Sequence, residues 1–339
     1  MPKPIANLSL DLDNQWAYLR AAGREGWEQS ACYFHTVIPR IVNMLQELDL
    51  PLTVFMVGRD FESTTSIAAM RGFADLKAWE PGNHSYNHEP WLHTLPREAI
   101  EAEIDRTAAN IDQHLGTAPV GFRGPGFSCP ETVLSVLAER GYAYDASVFP
   151  TSMAPVARAY YMMKTGLKGA DRDRASQLYG GWSAVRQPNR PFPRMVDGRQ
   201  LWELPVTVLP LARTPIHFSY FTYLASFSRV AAKAYFRTAM RLCRLTNCPP
   251  ALLLHPPDFM GREDDCEMAF FPSMKMPREK KLDIVRWALQ RFASAFDVRT
   301  MRAQVAALSS TPLPSSVRPI VSQTRAADLA PPTIASTKS

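Results

Sequence analysis

The chain has 339 residues, with 46% hydrophobic and 21% charged residues and a formal net charge of +6. This composition excludes disordered, collagen-like and disulfide-stapled classes. No run approaches the ~20 apolar residues that cross a bilayer, and the length suffices for one large domain. The cysteines Cys32, Cys129, Cys243, Cys248 and Cys266 are scattered without a CxxC pair, which fits free thiols in a reducing compartment.

Residues 8–12 form a short apolar run, a strand that ends in Asp11-Leu12-Asp13. Strand side chains alternate, so both carboxylates point to one face. The opening MPKPIANLSLDLDNQW has no apolar signal-peptide stretch, and the expected location is cytoplasmic. Helical periodicity follows over 35–48 (Val37, Ile38, Ile41, Val42, Leu45), then a buried strand over 52–57. A helix over 97–115 carries Ile100, Ile104, Ala108 and Ile111 on one face, with Gly116 as its stop. Residues 120–123 read as a strand, 131–140 as a helix and 142–147 as a strand. The alternation implies an α/β fold with a parallel sheet.

Residues 151–199 are rich in Pro, Gly, Arg and Tyr without a period, and read as an insertion or lid. Strands at 200–209 and 251–255 flank a basic helix at 227–245. From residue 307 the Ser/Thr/Pro/Ala-rich sequence is expected to be disordered. The organisation is therefore one domain over 1–306, interrupted at about 151–199, and a tail over 307–339.

Charge is uneven. No Asp or Glu occurs between Leu204 and Pro257, while Arg213, Arg229, Lys233, Arg237, Arg241 and Arg244 do. The last five fall along one helical stripe, behind the aromatic run Phe218, Tyr220, Phe221, Tyr223 and Phe227. A solvated face and ordinary core aromatics are one reading. The other is a strip facing anionic lipid or a phosphate, with peripheral contact at a membrane face. Nucleic acid is not expected, because the basic excess is local and no recognition motif accompanies it.

His84 and His88 lie four residues apart in Asn-His-Ser-Tyr-Asn-His, just after Pro81-Gly82. Two imidazoles and the Asp13 carboxylate make a three-ligand set for a borderline divalent metal such as Zn²⁺, with a coordination position left open. Asp11, beside the ligand, could take a proton from water. Arg123-Gly-Pro-Gly and His255-Pro-Pro-Asp also follow strand-like runs, and in a parallel α/β barrel such loops share one rim. Singly each signal is weak: without a Glu after His84 the pair is not the zincin helix, and His255 could be a satisfied core histidine. His35, His93, His114 and His217 have no such support, and only His93 is near enough to His84 and His88 to be a substitute ligand.

Taken together, Ser9-Leu10-Asp11-Leu12-Asp13, His84-Ser85-Tyr86-Asn87-His88, Arg123-Gly124-Pro125 and Leu252-Leu253-Leu254-His255 resemble the polysaccharide deacetylase (NodB-homology) family. That family usually shows Thr-Phe-Asp-Asp-Gly, His-Ser/Thr-x-x-His, Arg-x-Pro and Leu-x-x-His. The similarity runs over roughly residues 5–300 and is not recognisable between about 150 and 200. Asp-Leu-Asp replaces the usual adjacent pair, a variant associated with an intracellular branch that contains peptidoglycan-type relatives and relatives acting on lipid-linked amino sugars. The family's supporting Asp near a Trp has no clear counterpart among Asp145, Glu203 and Asp258.

The resemblance implies an irregular (β/α) barrel of roughly seven or eight strands. It implies that Asp13, His84 and His88 hold a divalent metal, most simply Zn²⁺. It further implies Asp11 as general base, His255 as the acid that protonates the leaving amine, and Arg123 as the partner that keeps Asp11 ionised. The activity implied is hydrolysis of an N-acyl group, N-acetyl in the first place, on an amino sugar. With a cytoplasmic location that sugar could ride on a membrane lipid phosphate. The alternatives are a soluble or polymeric glycan as substrate, or an inactive carbohydrate-binding relative.

Overall fold

The structure, a computed structural model, describes residues 2–153, 185–265, 267–271, 273–310 and 320–322. Its strands in chain order are β1 (Ile5–Leu12), β2 (Leu52–Met56), β3 (Trp79–Asn83), β4 (Gly121–Phe122), β5 (Tyr144–Asp145), β6 (Phe192–Val196), β7 (Arg199–Glu203), β8 (Ala251–Leu254), β9 (Asp297–Arg299) and β10 (Ile320–Ser322). They form one mixed sheet in the order β10-β6-β7-β5-β4-β3-β2-β1-β8, with β9 on β1. From β7 to β8 every pairing along this path is parallel; β6 runs antiparallel to β7.

The parallel strands curl into an irregular barrel. The segment after β7 bridges its two ends: Thr207 N donates to the Ala251 carbonyl at 3.2 Å, and Ala251 N donates to Thr207 Oγ1 at 2.7 Å. Alternation decides what faces in. In β1, Ala6, Leu8, Leu10 and Leu12 join the outer hydrophobic core, leaving Asn7, Ser9 and Asp11 for the interior. In β2, Leu52, Val54 and Met56 face out and Phe55 in; in β8, Leu252 and Leu254 face out. His255 is therefore on the inward parity.

The helices are α1 (Gln15–Ala21), α2 (Phe34–Glu47), α3 (Thr64–Met70), α4 (Arg97–Leu115), α5 (Glu131–Glu139), α6 (Phe218–Phe227), α7 (Arg229–Leu245), α8 (Arg278–Ala295) and α9 (Met301–Ser309). α2, α6, α7 and α8 supply apolar side chains to the outer core around β1, β2 and β8. α9 closes the opposite end of the barrel from the site: Met301 N donates to Thr53 Oγ1 and Arg302 N to Glu80 Oε1.

Some expectations change. The basic helix begins at Arg229 rather than Phe227, because Ser228 caps it by accepting from Ala231 N at 3.2 Å, and Phe227 ends α6. Much of the expected insertion, residues 154–184, lies outside the described residues, but 192–196 form a sheet strand. Of the tail expected to be disordered, 307–309 finish α9, Ser310 caps it and 320–322 pair with β6, and the remainder lies outside the described residues.

Candidate active site

Asp11, Asp13, His84, Arg123 and His255 all sit at the C-terminal ends of parallel strands, on β1 or directly after β1, β3, β4 and β8. The barrel's curl brings them together. Asp13 Oδ1 lies 3.4 Å from His84 Nε2 and 3.1 Å from His88 Nε2. These three residues form a group whose candidate ligand atoms are all within 4.8 Å of one another. Asp13 Oδ1 is buried and has no hydrogen-bond partner. Two imidazole nitrogens and a buried carboxylate oxygen converging here suit a cation, so the donor set fits a divalent metal. His93 does not belong to this group.

The surroundings orient the ligands. His84 Nδ1 lies 2.6 Å from the Arg123 carbonyl, the usual second contact of a metal-ligating imidazole, and this leaves Nε2 toward Asp13. Tyr33 donates its hydroxyl to the Asp13 carbonyl at 2.5 Å. Ser85 and His88 adopt positive φ (61° and 49°). That costs on the order of 1–3 kcal/mol each and persists only when the surroundings impose it. Here Glu103 of α4 imposes it, accepting from Tyr86 N and Asn87 N at 2.8 Å. Burial opposes ionisation of Asp13, but the adjacent His88 and His84 imidazoles outweigh it and hold the carboxyl well below its usual range. Burial likewise opposes charging of His84, and Asp11 and Asp13 reverse the sign, raising it.

Arg123 is fully buried. Its Nη1 contacts Asp11 Oδ1 at 2.7 Å and Ser9 Oγ at 3.0 Å, its Nε donates to the Ala146 carbonyl, and its guanidinium lies 4.2 Å over the Phe55 ring. The other Asp11 oxygen is 4.0 Å from His255 Nε2.

Behind His255, Asp258 is the carboxylate that the structure places in support, while Asp145 and Glu203 cluster instead with Arg194 and Cys129. Asp258 Oδ2 accepts from His255 N at 2.9 Å. Ser219 Oγ stands between the two groups, 3.2 Å from His255 Nδ1 and 3.5 Å from Asp258 Oδ2, and Thr222 donates to Asp258 Oδ1. An ionised Asp258 only accepts, so Ser219 donates to it and receives from His255 Nδ1. This leaves His255 Nε2 turned toward Asp11.

Ser219, Thr222 and Tyr33 are absent from the motifs read in the sequence. So is His217, buried with Nδ1 unpartnered and its ring 5.8 Å from that of His255. Burial, then His255 and Arg123, hold its pKa well below the usual histidine range, so it is neutral. No spacing signal marks it.

Residues 25–144, which include His84, His88 and Arg123, match the family described as polysaccharide deacetylase. The chain is 28% identical over 119 residues to a peptidoglycan deacetylase of Helicobacter pylori, covering 35% of this chain and 39% of that protein. It is 28% identical over 103 residues to the uncharacterized protein YlxY of Bacillus subtilis, covering 30% and 31%. The matches thus span only about a third of the length of these curated relatives. A solved Mycobacterium smegmatis structure assigned as a polysaccharide deacetylase superposes over 94% of this chain and 96% of its own, with a TM-score of 0.59 at 19% identity, which shows a shared fold. Residues 25–144 thus match the polysaccharide deacetylase family, and the barrel as a whole shares its fold with the Mycobacterium smegmatis structure.

Proposed function

We propose that the protein is a metal-dependent hydrolase that removes an N-acyl group, N-acetyl in the first place, from an amino sugar. The observation that carries this is the buried, unpartnered Asp13 Oδ1 facing two imidazole nitrogens, flanked by a carboxylate and a histidine 4.0 Å apart. Asp13, His84 and His88 would hold the cation, with zinc the first candidate for an imidazole–carboxylate set. When bound, a divalent cation supplies Lewis acidity toward water and the acyl carbonyl.

The chain's own groups do the rest. Asp11, fixed by the buried Arg123, accepts a proton from the attacking water through the oxygen that Arg123 leaves free. His255, oriented by Ser219 and Asp258, delivers a proton from Nε2 to the departing nitrogen. A base and an acid this close can serve one amide in sequence, each contributing roughly 10²–10⁴-fold. The similarity to a peptidoglycan deacetylase supports an acetylated amino sugar as the substrate class. The cationic helix α7 favours a sugar carried on a lipid phosphate over a soluble or polymeric glycan.

The test is acetate or formate release by metal-stripped and zinc-reconstituted protein, on soluble acetylated amino sugars and on a lipid-phosphate-linked one. Release that requires the metal is expected. Reconstituted protein that releases no acyl group from any of them overturns the reading.

A further inference from the structure

Helix α7 turns Ala232, Phe236, Ala239 and Cys243 into the core. At about 100° per residue the opposite arc carries Val230, Ala234, Arg237, Arg241, Arg244 and Leu245. Val230 and Leu245 are 80% and 82% exposed, and Phe227, one turn earlier at the end of α6, is 73% exposed with Tyr223 packed edge-on against it. Arg229 comes within 3.9 Å of Asp283, and Lys233 and Arg237 lie over the Trp287 ring. Arg241 and Arg244 have no acidic partner among the described residues, and the arc itself holds no acid.

The position of this arc ties it to the site. Helix α7 has 17 residues and spans roughly 25 Å. It returns the chain to the start of β8, whose far end carries His255. Its first turn, with Phe227 and Val230, therefore lies toward the barrel end on which the site opens.

We propose that the outward arc of α7, with the Phe227 corner, is a docking surface for an anionic lipid bilayer. Guanidinium groups meet lipid phosphates while the aromatic and aliphatic tips enter the headgroup–acyl boundary. A soluble polyanion would satisfy the arginines and leave Phe227, Val230 and Leu245 in water, so the apolar tips select the bilayer. Docking is read from this surface alone; its use in presenting a lipid-carried sugar rests on the deacetylase reading.

Flotation of the full chain tests it, with phosphatidylcholine vesicles and vesicles containing phosphatidylglycerol, at low and high salt. Binding is expected with the anionic vesicles only, and weaker at high salt. Arg237→Glu with Arg241→Glu should lower it ten-fold or more, at about 1 kcal/mol per cation; Arg241→Glu alone serves if the pair fails to fold. Phe227→Ser with Val230→Ser should lower vesicle binding several-fold and leave retention on immobilised polyphosphate unchanged. Wild type that ignores anionic vesicles overturns the proposal. So does vesicle binding that the Phe227/Val230 variant retains, which would mark a soluble-polyanion site. Acyl release from a soluble sugar, measured on the same proteins, reports the catalytic reading separately.

Discussion

Ser219 carries a consequence that reaches beyond its own hydroxyl. It connects Asp258 to His255 Nδ1, so its loss frees the imidazole to rotate and to exchange tautomers. Ser219→Ala is expected to lower turnover roughly 10- to 100-fold, the scale of other groups that orient a catalytic imidazole. Bound metal should stay stoichiometric, and Ser219→Thr should recover much of the rate. Metal analysis and steady-state kinetics on the pair decide it; loss of metal from Ser219→Ala would make the effect structural. Asp11→Asn should likewise keep metal and lose roughly 10²–10⁴ in turnover. His84→Ala and His88→Ala should lose both, since each removes one of three ligands. If either alanine variant retains stoichiometric metal with full turnover, the ligand set is wrong.

The junction between β1 and α1 is an element-level device with a pH signature. Asn14 Nδ2 and Trp16 Nε1 both donate to Asp60 Oδ1 at 2.9 Å, tying the start of α1 to the turn after β2. The other Asp60 oxygen is buried and unpartnered, and burial pushes the carboxyl from 3.8 up to about 7. The folded pKa is raised, so between pH 4 and 7 the folded state binds more protons than the unfolded one. Stability should therefore fall as pH rises through that window, by a few kcal/mol at most, and this contribution should level off above about 7. Asp60→Asn should remove that part of the slope, and denaturant midpoints at pH 5 and pH 8 measure it. A slope unchanged in the variant would place its origin elsewhere.

Elements whose residues follow one period were legible in the sequence. Helix α4 runs over Arg97–Leu115 and ends at Gly116 in the left-handed region, as the apolar face and the glycine indicated. Strand β3, Trp79-Glu-Pro-Gly-Asn, gave no such signal because its inward positions carry tertiary duties. Glu80 bonds Thr53 and Tyr144, and Gly82 leaves room for the Phe55 ring, which a Cβ would approach to 2.5 Å. The aromatic run of α6 divided between two roles that periodicity could not separate: Phe218 and Phe221 are core, Phe227 is exposed. The metal-type donors were legible because their residue types are restrictive. Ser219 and Thr222 were not, because a hydroxyl becomes a partner of Asp258 only when a helix folds beside it from 36 to 39 residues away.

For the molecule as a whole, the site couples chemistry to stability. Asp13 lies on the segment that links β1 to α1, His84 and His88 follow β3, and the Arg123 carbonyl behind His84 belongs to the loop after β4. A cation held by these ligands fastens the ends of β1 and β3 together, with β4 joined through the Arg123 carbonyl on His84, so metal binding should raise the melting temperature. At free metal a hundred times the dissociation constant, the gain is about 2.7 kcal/mol, or roughly 5 °C for a domain of this size. Chelation should remove it. The variants then separate ligand from base: Asp11→Asn should keep the metal-dependent shift while losing turnover, and His84→Ala should lose both. Scanning calorimetry of wild type and the two variants, each with zinc and with chelator, supplies all six curves. Equal melting temperatures for wild type with and without zinc would mean that these donors hold no metal in the folded protein. A shift that survives in His84→Ala would place the metal elsewhere.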